Sequence, residues 1–115
     1  MILATDLRSG NYVKTVEGGK RKLLRLNAQM IAQIEKGSLT VHPVALVKEW
    51  LLKFQFVFTE NAYIHFKFTG CHLEQHADGF YFFRGKNKLH RFPVIYVHQL
   101  QNSFYWMSGE DLALA

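Results

Sequence analysis

Residues 44–69, VALVKEWLLKFQFVFTENAYIHFKFT, change their apolar period part-way along. Val44, Val47, Trp50, Leu51 and Phe54 recur at spacings of three and four, which puts them on one face of a helix and Trp50 in its core. His42 and Pro43 form a turn just before, and Pro43 suits a first helical turn because its missing amide would have no intrahelical partner there. Beyond Phe56 the period falls to two. Ile64, Phe66 and Phe68 alternate with His65, Lys67 and Thr69, the pattern of a strand with one buried face.

The flanks decide how helix and strand combine. Downstream, Asp78 and Gly79 in HADG read as a hairpin turn, followed by the aromatic strand Phe80, Tyr81, Phe82 and Phe83. Successive strand residues point to opposite faces, so at least two of those four aromatics belong to the core. GKNK is a further turn, and LHRFPVIYV a third strand with Pro93 at an edge or a bulge. Val97, Leu100, Phe104 and Met107 then return to helical spacing, with Gly109 as the stop and Trp106 beside the core face. Upstream, Tyr12, Val13 and Val16 face Leu23, Leu24 and Leu26 across Gly18 and Gly19, which tolerate the positive φ of a tight turn. Met30, Ile31 and Ile34 fit a short helix or another strand. The expected fold is α+β: a small, mainly antiparallel sheet made of a hairpin plus a meander, packed with a central helix and a carboxy-terminal helix.

No internal repeat, linker or low-complexity stretch interrupts the 115 residues, so 1–115 reads as a single domain. With 49% hydrophobic residues and 10 Phe, 5 Tyr and 2 Trp, the chain has ample material for a core, which excludes disorder. Cys71 is the one cysteine, which rules out an internal disulfide framework and fits a reducing, cytoplasmic setting. The opening MILATDLRSG lacks the pattern of a secretory signal, and no run approaches the ~18 apolar residues of a membrane span.

Lys and Arg outnumber Asp and Glu by 14 to 9, a net charge of +5. Eight of the fourteen lie in two groups: Lys20, Arg21, Lys22 and Arg25, and Arg84, Lys86, Lys88 and Arg91. Such groups suit a phosphate backbone or an acidic protein surface, and lysines also protect sheet edges from pairing. Tyr81, Tyr105 and Trp106 are the aromatic candidates for an interface, because binding energy concentrates in Trp, Tyr and Arg.

Catalytic chemistries find little support. His72, Glu74 and His76 beside Cys71 are residue types that bind zinc, but on a strand residues 72 and 76 stand about 13 Å apart, too far for two metal bonds to converge. GxSxG, GxxxxGK[ST] and GxGxxG motifs are absent, and the carboxylates are dispersed. The expectation is a non-enzyme with no metal or cofactor.

Four segments stand in order: LRSGNYV from Leu7 to Val13, EWLLKFQF from Glu49 to Phe56, YVHQLQN from Tyr96 to Asn102, and GEDL from Gly109 to Leu112. With them the chain resembles small uncharacterised proteins encoded by phages, prophages and mobile elements of Bacteroidetes, which carry LRxGN, EWLxKFGF, YVHQLQN and TGEEL. Gln55 stands where that family usually has glycine, which implies either that the chain leaves its helix without a positive φ or that the helix runs on. Asp111 stands where the family usually has glutamate. The resemblance implies a cytoplasmic protein of a host or phage setting that binds, and inhibits, a host macromolecular target, in the manner of anti-defence or anti-CRISPR proteins. The partner expected is a host protein or ribonucleoprotein with an acidic surface. RNA or DNA binding is the alternative, and a structural or assembly role in a phage particle the third reading.

Overall fold

A computed structural model describes residues 2–59, 62–68, 70–84 and 92–114, with the backbone alone for Cys71, Phe83 and Arg84. The described residues form three α-helices and seven strands in two antiparallel sheets, an α+β fold. They divide into two units, Met1–Ala45 with Tyr96–His98, and Leu46–Ile95 with Gln99–Ala115. No described helix is long and apolar enough to cross a membrane.

In the first unit a 3-10 turn, Ala4–Asp6, precedes strands β1 (Tyr12–Glu17) and β2 (Lys20–Arg25) and helix α1 (Ala28–Glu35). Glu17 pairs with Lys20 across a two-residue loop in which Gly18 and Gly19 have φ of 56° and 79°, the pair of positive angles such a loop needs. Asn27 caps α1, its side-chain oxygen accepting from the Met30 amide at 2.8 Å. Met30, Ile31 and Ile34 pack against a core of Ile2, Leu7, Val13, Leu26 and Val41, which decides for a helix over a strand. The LRSGN segment is a turn. Asn11, buried, accepts from the Arg8 amide through Oδ1 at 2.6 Å, and the amides of Gly10 and Leu26 donate to the carbonyls of Leu26 and Asn11 at 2.7 and 2.8 Å.

The second unit holds α2 (Lys48–Lys53) and strands β3 (Phe56–Thr59), β4 (Ala62–His65), β5 (Cys71–His76), β6 (Gly79–Arg84) and β7 (Phe92–Val94), in a sheet ordered as in the chain. Helix α3 (Val97–Ser108) follows. Pro93 lies on β7, an edge of the sheet, as a residue without an amide donor should. Val97, Leu100 and Phe104 are buried, and α3 stops at Gly109, whose φ is 76° and whose amide donates to the Tyr105 carbonyl at 2.8 Å.

Four expectations are corrected. The central helix has six residues, not the span from Val44 to Phe54, and Pro43 is not in its first turn. Val44 is held by a ladder bond, its carbonyl accepting from Val97 at 2.9 Å, and Leu46 likewise donates to Ile95 at 2.9 Å, so local spacing yields to strand-like pairing. Leu51 and Phe54 are buried, whereas Val47 is exposed and Trp50 only half-buried, its ring 5.6 Å from Phe54 and capped by Lys53 Nζ at 5.2 Å. Gln55 does take a positive φ, 71°, and is the one non-glycine among the described residues to do so. On β4 the phase is inverted: Tyr63 and His65 face inward, opposite Phe58 and Phe56, while Phe66 and Phe68 lie past the strand end and Phe66 is exposed. The aromatic turn also shifts by one residue, since His76 pairs with Gly79 and leaves Ala77 and Asp78 as the loop. Phe80 and Phe82 are buried, which meets the requirement that two of the four aromatics enter the core. GKNK, residues 89–91 and Thr69 lie outside the described residues.

Candidate functional site

A strand alternates its side chains, so the run Lys20, Arg21, Lys22 cannot form one patch. The register of β1 with β2 sorts it. Lys20 and Lys22 pair with Glu17 and Thr15 on the face that carries buried Val13, whereas Arg21 and Arg25 pair with Val16 and Tyr12 on the opposite face. On that second face Lys14 lies between Tyr12 and Val16, and the Arg25 guanidinium stands 5.8 Å from the Tyr12 ring centre. Among the described residues no carboxylate comes within ion-pair distance of Lys14, Arg21 or Arg25.

The same face deepens into a concavity of about 460 Å³ lined by Lys14, Val16, Arg21, His42, Pro43, Ala45 and Tyr96. Three directly opposed pairs build it. Lys14 and His42 exchange both backbone hydrogen bonds, at 3.0 and 2.7 Å, Val16 faces Arg21 across the hairpin, and Ala45 bridges Tyr96. Opposed residues of an antiparallel pair project to the same side, so the backbone pairing itself brings two permanent cations and an imidazole to one wall and a phenol ring to another. Behind Tyr96 lies His98, with the two rings nearly parallel at 9° and 5.9 Å between centres. His98 is buried, its Nδ1 has no hydrogen-bond partner among the described residues, and burial pushes its pKa below the usual 6.5, with the Asp6 charge opposing in part.

Of the second basic group only the Arg84 backbone is described, at the end of β6; Lys86, Lys88 and Arg91 lie outside the described residues. The three interface aromatics do not converge. Trp106, 85% exposed, and Tyr105 are neighbours on α3, and Trp106 lines a shallow depression with Phe92, Asn102, Ser103 and Met107. Tyr81 pairs with Glu74 and Pro93, on the sheet face opposite the one that carries buried Phe80 and Phe82. Its hydroxyl donates to Asp78 at 2.7 Å, and its ring meets His76 edge-on at 4.9 Å. His76 Nε2 and Glu74 Oε1 are 2.6 Å apart, an ion-pair separation without hydrogen-bond alignment. Among the described residues no three His, Cys, Asp or Glu gather as metal ligands would.

Sequence reading missed Lys14, His42 and Tyr96 because they are united by two bridges remote in sequence, Lys14 with His42 and Ala45 with Tyr96. The register of the hairpin would have given Lys14. Nothing local gives the bridge from Ala45 to Tyr96. It also missed His65, which is 4% exposed, its ring within 4.7 to 6.0 Å of Phe56, Phe66, Phe68 and Phe104. His65 Nδ1 accepts from the amides of Lys67 and Phe68 at 3.2 and 3.3 Å, and burial together with the Lys67 charge lowers its pKa, against a hydrogen bond to the Phe54 backbone that raises it.

Compared with family models, curated proteins and solved structures, the chain matches none.

Proposed function

We propose that the chain is a non-catalytic binding protein that holds a polyanionic macromolecule against the face of the β1–β2 hairpin bearing Lys14, Arg21 and Arg25. One observation carries this reading: three cations without a described carboxylate stand on one face with Tyr12, and two of them, Lys14 and Arg21, line a concavity with Tyr96. Cations left without a carboxylate to neutralise them keep their attraction for an external anion. Within the phage or mobile-element setting that the resemblance implies, the partner is a host ribonucleoprotein or an acidic host protein, and the effect is inhibition of a defence complex.

Aromatic rings interleaved with the cations favour the nucleic-acid component of such a partner, since rings add stacking to phosphate contact. Lys20 and Lys22, on the other face of a strand whose outer edge has no partner among the described residues, serve as edge protection.

Two double variants of equal charge change separate the faces. Arg21→Glu with Arg25→Glu should weaken binding of labelled single-stranded RNA or DNA at least tenfold and flatten its salt dependence, whereas Lys20→Glu with Lys22→Glu should change it far less. Both should keep the wild-type thermal midpoint within a few degrees, because exposed charges contribute little to stability. Equal losses from the two variants would mean general charge attraction without a defined face. No binding to nucleic acid, acidic polypeptide or host lysate would end the reading.

A further inference from the structure

We propose that the concavity beside Lys14 is a pocket for a single nucleotide, in which an unstacked base lies on Tyr96 and its phosphate sits between Lys14 and Arg21. This rests on the reading of the hairpin face as a polyanion surface and adds to it a ligand unit and a base contact.

The lining decides the ligand class. Its volume of about 460 Å³ falls in the range of small-molecule sites, roughly 300–1,000 Å³, although the concavity is broad and open to solvent. The walls are of two kinds. Lys14 and Arg21 offer donors and positive charge, as a phosphate requires, and His42 a ring N–H, while Tyr96, Val16, Pro43 and Ala45 offer an aromatic and aliphatic surface that a bare phosphate would not use. A nucleotide has both parts, a dianionic or monoanionic head and a planar apolar ring, joined at a fixed reach. Tyr96 is also stiffened for the purpose. Its backbone is fixed by the bridge to Ala45, and buried His98 lies nearly parallel to its ring at 5.9 Å between centres. A base can reach such a ring only when it is free of its own duplex stack, so the pocket selects single strands over duplex.

The test uses the full chain with fluorescein-labelled single-stranded decamers and a duplex of the same length, and with AMP, UMP, inorganic phosphate and polyglutamate as competitors. Tyr96→Leu should weaken single-strand binding by about tenfold to a hundredfold, the range of one base–aromatic stack, and leave duplex binding within about twofold. Tyr96→Phe should keep wild-type affinity. AMP should compete at lower concentration than phosphate. If Tyr96→Leu proves misfolded by its thermal midpoint, AMP titrated into the wild-type protein should shift the Tyr96 ring protons in NMR spectra. Single-strand affinity indifferent to Tyr96→Leu, or ring protons unmoved by AMP, overturns the nucleotide pocket but leaves the polyanion face standing if Arg21→Glu with Arg25→Glu still weakens binding. Polyglutamate competing as well as the oligonucleotide overturns it in favour of an acidic protein partner. Absence of binding to every polyanion removes both proposals.

Discussion

At Gln55 the backbone takes a left-handed φ of 71° directly after α2, with its amide donating to the Leu52 carbonyl at 3.0 Å. That conformation costs an L-residue roughly 1–2 kcal/mol, which the side chain offsets in part through its 3.1 Å hydrogen bond to the Ala113 carbonyl. Gln55→Gly should therefore raise the thermal midpoint by a few degrees, and Gln55→Val should lower the unfolding free energy by about 1 kcal/mol or more, both read by calorimetry. Two buried histidines set a second expectation. His65 and His98 both bind a proton less readily in the folded chain than at the ordinary value of 6.5. The unfolded chain therefore takes up more protons as pH falls, so the stability these neutral rings supply is whole above pH 6.5 and is lost as pH drops from there through their lowered folded values. Urea midpoints should decline between about pH 7.5 and about pH 5.5, and His65→Phe and His98→Phe should each remove part of that decline, whatever they do to stability at the upper end. A double variant with the wild-type slope would assign the effect elsewhere.

Among the elements, α3 carries its packing on few side chains. Phe104 is the centre of one aromatic group, with ring centres 6.3 Å from Phe56, 4.7 Å from His65 and 5.4 Å from Phe68. Phe104→Ala should cost about 3–5 kcal/mol in urea denaturation, a large share of the roughly 5–15 kcal/mol of an ordinary domain. Trp106, two positions on and 85% exposed, should tolerate Trp106→Lys with the midpoint nearly unchanged, and the loss of its long-wavelength fluorescence should leave the emission of half-buried Trp50. Element types were legible where one rule sufficed. The two-glycine loop, the period of α3 and its glycine stop needed only local chemistry. Boundaries and phases were not legible where partners remote in sequence intervene. The apolar spacing from Val44 to Phe54 is helical, yet Val44 and Leu46 are held by Val97 and Ile95. Period-two alternation on β4 shows that a strand exists, but His65 is the residue that goes inside, because its turn-forming Nδ1 and the Phe56 and Phe104 rings satisfy it there.

For the whole molecule, the residues behind the family resemblance are chiefly structural. Gly10 and Asn11 make a turn, Val13, Val97, Leu100 and Leu112 are buried, and Gly109 ends α3. Of these segments only YVHQLQN contributes to the concavity, through Tyr96, and no short motif joins that ring to the cations opposite it. Charge was legible as an amount and as a cluster. Its division into two faces was not, because it depends on which strand residue is buried. The order of the chain through the two units has a consequence for synthesis. Met1–Ala45 holds every cation of the concavity, but Tyr96 is added only after the intervening Leu46–Ile95, about fifty residues of the other unit, has been made. A growing chain thus displays Lys14, Arg21 and His42 before it owns the Tyr96 ring, so on a ribosome surrounded by RNA the proposed pocket is completed last.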